Sequence, residues 1–127
     1  MADDTKKKRI LLVDASPTTR QQVGSVLANH GFDVLGAEDG VDGINQLQSA
    51  GEINMIISDV NMPNMGGLEM LGAIRKIEQF KFLPILMLTT EGGGDMVERA
   101  KKSGASGCLA KPVNPDRLIG IVKELAR

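Results

Sequence analysis

Apolar residues fall into two alternating kinds of run along this chain. Ile10-Leu11-Leu12-Val13, Met55-Ile56-Ile57, Ile85-Leu86-Met87-Leu88 and Cys108-Leu109-Ala110 are short and unbroken, the pattern of strands buried on both faces. Phe32 to Ala37 reads as one further short strand. Between them, apolar positions recur at helical spacing. The first helix opens at Ser16-Pro17, a cap followed by a proline at the first helical position, carries Val23, Val26, Leu27 and His30, and stops at Gly31. The second runs from Asp39-Gly40 to Ala50-Gly51, with Val41, Ile44 and Leu47 recurring every three residues. Gly67 to Glu78 presents Leu68, Leu71, Ile74 and Ile77 as one stripe, and Asp95 to Ser103 a weaker one of Met96, Val97 and Ala100. Asn114-Pro115 caps the last helix, with Leu118, Ile121, Val122 and Leu125 facing inward. Five alternations of strand and helix with short connections predict an α/β doubly wound fold: a parallel sheet, right-handed crossovers and helices on both faces.

Polar residues at the strand ends carry the chemistry. Asp14, Asp59, Thr89 and Lys111 each follow directly on an apolar strand run. In open parallel sheets the ligand crevice lies beyond the carboxyl ends of the strands, near the point where strand order reverses. Asp59 alone says little, because Asp often terminates strands by bonding its own backbone. Four such residues at one edge say more. Two carboxylates on neighbouring strands repel unless a cation joins them. Magnesium takes one or two carboxylates, keeps several waters and completes its shell with phosphate oxygens. A lysine can neutralise a phosphoryl oxygen and a threonine hydroxyl can donate to another. The set suits aspartyl-phosphate chemistry with Asp59 as nucleophile.

Composition narrows the alternatives. At 127 residues the chain has room for one ordinary domain. A net charge of -1 gives no bulk attraction to nucleic acid or membrane, and Lys6-Lys7-Lys8-Arg9 reads as the end of a solvated, flexible tail over residues 1–9. No membrane span or signal peptide is expected. A single cysteine, Cys108, excludes an internal disulfide and a thiolate metal cluster, which fits a cytoplasmic location. A flavin enzyme is disfavoured because Asp14 would repel the cofactor phosphate at the Ser16-Pro17-Thr18-Thr19 loop, and no Trp or Tyr exists to flank the ring. His30 reads as a surface residue at a helix end.

Taken together, Val13-Asp14, Ser58-Asp59-Val60-Asn61-Met62-Pro63, Leu88-Thr89 and Lys111-Pro112 resemble the markers of the response-regulator receiver family. The likeness extends over Ile10 to Ala126, placing a receiver domain at 10–127. It is strongest toward the stand-alone chemotaxis members, through Ala37 to Asp42, Asn61 to Met65 and Gly104 to Gly107. The resemblance implies a flavodoxin-like (βα)5 fold with strand order 2-1-3-4-5. It implies a signalling protein, not an enzyme in the usual sense, that accepts a phosphoryl group on Asp59 from a sensor histidine kinase. Mg²⁺ would be held by Asp14, Asp59 and the backbone carbonyl of Asn61, and Thr89 and Lys111 would bind phosphoryl oxygens. Asn61 and Glu91 fall where family members tune phosphoryl lifetime, and a phosphatase is a further implied partner. Thr89 would act as a switch with the residue at position 108, and a downstream protein would bind the face of the fourth helix, fifth strand and fifth helix. Lys111-Pro112 is usually a cis peptide in the family.

Two residues depart from the family pattern. Ala15 stands where a second acid usually ligates the metal, so metal affinity is expected to fall about 10- to 100-fold. Cys108 stands where an aromatic usually sits, and a thiol cannot sweep between buried and exposed positions as a ring does. Burial as a small hydrophobe is the expected role for Cys108, ahead of a redox switch. These departures motivate a competing reading: a binding module of receiver fold that works without phosphorylation.

Overall fold

A computed structural model of the chain describes residues 7–90 and 94–126. Ten main elements alternate without exception: β1 (Arg9–Val13), α1 (Pro17–Asn29), β2 (Asp33–Ala37), α2 (Gly40–Ser49), β3 (Met55–Asp59), α3 (Gly67–Arg75), β4 (Ile85–Thr89), α4 (Gly94–Lys102), β5 (Gly107–Ala110) and α5 (Pro115–Leu125). The strands form one five-stranded sheet in the order β2-β1-β3-β4-β5, all neighbours parallel. The order implied by the resemblance is the order found. The flavodoxin-like arrangement follows.

Period-two alternation sorts each central strand's residues onto two faces. Leu11, Val13, Ile56, Ile85 and Met87 join Leu47 of α2, Met70, Leu71 and Ile74 of α3, and Met96 and Ala100 of α4. Ile10, Leu12, Met55, Ile57, Leu86 and Leu88 join Val23 and Leu27 of α1 and Leu118, Ile119 and Val122 of α5. Helices therefore cover both faces. Burying the sheet twice explains why its strands are unbroken apolar runs.

The helix starts follow the local chemistry. Ser16, Asp39 and Asn114 each accept the backbone N–H three residues on, from Thr19, Asp42 and Arg117, and Pro17 and Pro115 occupy first-turn positions where no N–H is needed. Several boundaries differ from expectation, and β2 opens at Asp33 instead of Phe32. β1 opens at Arg9 and β5 at Gly107, one residue earlier than the apolar runs, because backbone pairing with Asp33 and Leu86 does not depend on side-chain polarity. α4 runs one residue earlier at both ends than expected. α3 ends at Arg75, and Glu78–Phe80 forms a separate 3-10 turn. The backbone turns extended at Ile77 (ψ 117°), and beyond the break the Arg75 guanidinium donates to the Phe80 carbonyl at 2.9 Å and to the Gly104 carbonyl at 2.8 and 3.0 Å. Among the described residues, no helix is long and apolar enough to cross a membrane.

Candidate functional site

Strand register places the four polar residues at one edge. Val13 pairs with Ser58, Asp59 with Leu88, and Thr89 with Ala110, so Asp14, Asp59, Thr89 and Lys111 all lie at the carboxyl ends of β1, β3, β4 and β5. The chain reverses its direction of travel across the sheet at β1, which has β2 on one side and β3 on the other. A crevice at that point is expected of the fold.

Lys111 ties the site together. Its ammonium lies 2.9 Å from Asp14 Oδ2 and 3.3 Å from Asp59 Oδ1. Its backbone N–H donates to the Thr89 carbonyl at 2.9 Å, and the Lys111-Pro112 peptide is cis. Asp14 is 1% exposed. Its Oδ1 accepts the Ser16 N–H at 2.9 Å, its own N–H donates to the Ala37 carbonyl at 3.0 Å, and its carbonyl accepts from Arg20 of α1. Thr89 is buried as well.

The electrostatics follow from this geometry. Burial, and then the charge of Asp14, push the Asp59 carboxyl above its ordinary range, while Lys111 and the Val60 N–H pull the other way without prevailing. For Lys111, burial alone would favour the neutral amine. The hydrogen bond and charge of Asp14, joined by Asp59, outweigh it and hold the ammonium above the usual lysine value. The site is thus an ionic cluster in which two carboxylates share one ammonium and still carry excess negative charge.

Such hard oxygen donors suit a hard divalent cation. Asp14 and Asp59 supply two carboxylates, and the backbone of Asn61, two residues past Asp59, is a further oxygen within the same loop. Position 15 contributes only an exposed methyl group. Among the described residues no group of three or more His, Cys, Asp or Glu side chains is placed to hold a metal. The donor set fits an open, water-rich magnesium site and not a closed cage.

The other expected residues are placed as follows. Cys108 pairs with Met87, two residues before Thr89, and packs, partly buried, against the core on the α2–α4 side. Burial raises its thiol pKa, opposed by the charge of Lys101, so the thiol form dominates. Glu91 and the neighbouring Gly92-Gly93 lie outside the described residues. His30 caps α1 on the surface, its Nδ1 2.9 Å from the Val26 carbonyl.

Two contacts escaped the sequence. Arg20 reaches the Asp14 carbonyl, and Asn64, with φ 64°, donates from Nδ2 to Asp39 Oδ2 at 2.8 Å. Asp39 was legible as a helix cap, but its partner 25 residues away was not.

Comparison with known proteins agrees with this geometry. Residues 10–123 match the response regulator receiver domain family. The chain is 39% identical over 111 residues to the chemotaxis protein CheY1 of Helicobacter pylori, covering 87% of this chain and 90% of that protein. It is 38% identical over 111 residues to a chemotaxis protein CheY homolog of Campylobacter jejuni, covering 87% and 85%. Its structure resembles that of the chemotaxis response regulator CheY4 of Vibrio cholerae with a TM-score of 0.88 and 40% identity, covering 94% of this chain and 99% of that one. A putative response regulator from Chloroflexus aurantiacus superposes with a TM-score of 0.90 at 31% identity, covering 94% and 98%. The chain belongs to the response-regulator receiver family, among its CheY-like members.

Proposed function

We propose that the chain is a phosphoacceptor switch: Asp59 takes a phosphoryl group from a histidine kinase, and the modified protein signals by changed binding to a partner. The observation that carries this reading is the Lys111 ammonium held within 3.3 Å of both Asp14 and Asp59 at the strand ends. A carboxylate oxygen of Asp59 attacks the phosphorus, and the bond from phosphorus to the kinase's histidine nitrogen breaks. Lys111 then pairs with a phosphoryl oxygen and the Thr89 hydroxyl donates to another. Asp14, Asp59 and the Asn61 carbonyl are the groups that would hold Mg²⁺. Mg²⁺, when bound, supplies positive charge against the carboxylates and the incoming phosphoryl oxygens. With Ala15 in place of an acid, more of its ligands are water and binding is weak.

Asn61 and Glu91 set the lifetime of the aspartyl phosphate by guiding attacking water, and the protein phosphorylates itself from small donors and dephosphorylates itself. A phosphatase is a further partner. Thr89 and Cys108 couple the site to the face of α4, β5 and α5, where the target binds. The receiver domain takes in Arg9, the first residue of β1, and the protein works in the cytoplasm. The likeness to chemotaxis proteins of Helicobacter, Campylobacter and Vibrio supports a chemotaxis pathway.

The test is intact-mass analysis after incubation with acetyl phosphate and Mg²⁺. One added phosphoryl group is expected, and none in Asp59→Asn. No gain in the parent, or an equal gain in the variant, overturns the reading.

One observation favours a second reading. Lys111 already neutralises part of the two acids and position 15 offers no third, which suits a binding module that never uses metal or phosphate. Magnesium titration at millimolar levels separates the two, because this module shows no response and Ala15→Asp restores one.

A further inference from the structure

The loop that follows Asp59 is fastened at several points. At its base, the Gly67 N–H donates to the Val60 carbonyl at 2.8 Å. On its descending limb, the Gly40 N–H at the start of α2 donates to the Met65 carbonyl at 3.0 Å. There is no room for a side chain at that contact: a Cβ on Gly40 would lie 2.8 Å from the Met65 carbonyl oxygen and 2.6 Å from its side chain. The third fastening joins side chains. Asn64 Nδ2 donates to Asp39 Oδ2 at 2.8 Å, and the other carboxylate oxygen, Oδ1, accepts the Asp42 N–H at 2.8 Å.

Asn64 occupies the left-handed region at φ 64°, which Asn tolerates better than most residues but which still costs energy for a residue with a Cβ. A bond to a buried carboxylate is a reason for the chain to hold that conformation. Asp39 is 6% exposed. Its carboxyl is held below the ordinary range by the Asp42 N–H first and the Asn64 amide second, against the cost of burial. The carboxylate thus stays charged and the bond from Asn64 is charge-assisted.

We propose that Asp39 and Asn64 are positioning residues for the phosphoacceptor site: their hydrogen bond clasps the loop to α2 and so fixes the Asn61 backbone two residues from Asp59. This rests on the phosphoacceptor reading above. The clasp matters more here than a third acid would leave it, because with Ala15 the Asn61 carbonyl is a larger share of the protein's oxygens at the metal.

The test exchanges donor and acceptor. Asp39→Asn keeps the helix cap and, with the Asn64 amide turned over, replaces the charge-assisted bond by a neutral amide–amide one. Asn64→Asp sets carboxylate against carboxylate. The double exchange rebuilds the bond in reverse. Mg²⁺ is titrated into the folded parent and each variant, following the Asp59 and Asn61 amide resonances, with thermal melts recorded beside them. Asn64→Asp is expected to bind Mg²⁺ about tenfold more weakly, Asp39→Asn by less, and the double variant to recover most of the Asn64→Asp loss. A parent that responds to Mg²⁺ while Asn64→Asp responds with equal affinity overturns the clasp alone. Weakening without recovery in the folded double variant also overturns it. A parent with no Mg²⁺ response overturns the phosphoacceptor reading, and the clasp's role with it.

Discussion

The Lys111 ammonium lies 2.9 Å from a carboxylate oxygen of Asp14 that is almost wholly buried, and the same nitrogen reaches Asp59 at 3.3 Å. Removing it strands two acids. Lys111→Met is expected to destabilise the fold by about 3 kcal/mol at neutral pH, as loss of one partner from a buried pair does. The pH dependence has a definite sign. Because the folded pKa of Lys111 is raised above 10.5, the ammonium's stabilisation is fully present below that value and is lost as pH rises through the folded pKa. Urea denaturation of parent and variant across the alkaline range checks this: the gap between them should close as the lysine deprotonates, not widen.

Asp59 has the opposite effect on stability. Its folded pKa is raised above 3.8, chiefly by burial, so the folded state holds its proton more tightly than the unfolded chain does. Ionised Asp59 is therefore a cost above its folded pKa, and the cost vanishes as pH falls below 3.8. Asp59→Asn should raise the melting temperature by about 2–5 °C at neutral pH, with the gain fading in acid. A melt series from neutral to acid pH reads this directly. A gain that grows in acid would contradict the assigned environment of the carboxylate.

The strand and helix order was legible because burial leaves a period, and the site was legible because each of Asp14, Asp59, Thr89 and Lys111 ends an apolar run. Which strands pair was not, since backbone bonds carry no side-chain signature. The strand order came from the family resemblance. The end of α3 is hidden for a related reason. Ile77 continues the three-residue stripe, yet the helix stops at Arg75 and Ile77 turns extended, with the Arg75 guanidinium bonded to carbonyls of Phe80 and Gly104 across the break. The Asp39–Asn64 bond has no pattern at all: an Asn in a turn reads as a turn residue, and its partner depends on how α2 packs on the loop.

Ala15→Asp tests what the missing acid does. The exposed position beside Asp14 can take a carboxylate, which would add an oxygen ligand and more repulsion. Mg²⁺ affinity is expected to rise about 10- to 100-fold. The metal-free melting temperature should fall, and Mg²⁺ should more than restore it. Calorimetric titration and paired melts with Mg²⁺ and with chelator measure both effects. Equal affinity in the two proteins would show that position 15 is not a ligand position.

Two glycines of α3 should respond oppositely to the same substitution. At Gly67 a Cβ would lie 2.1 Å from the Asp59 carbonyl oxygen and 2.8 Å from Met87 Cε. The methionine can move, but the strand carbonyl cannot without shifting the residue that bears the nucleophile. Gly67→Ala should therefore cost about 3 kcal/mol or more and lower the rate of phosphorylation at Asp59. At Gly72, within the helix, a Cβ would meet nothing within 4 Å. Gly72→Ala should stabilise by about 0.5–1 kcal/mol through helix propensity alone, leaving phosphorylation unchanged. Denaturation and acetyl phosphate labelling of both variants separate close approach at the site from backbone entropy. If Gly67→Ala folds and labels like the parent, α3 does not abut the phosphoacceptor strand as tightly as this geometry requires.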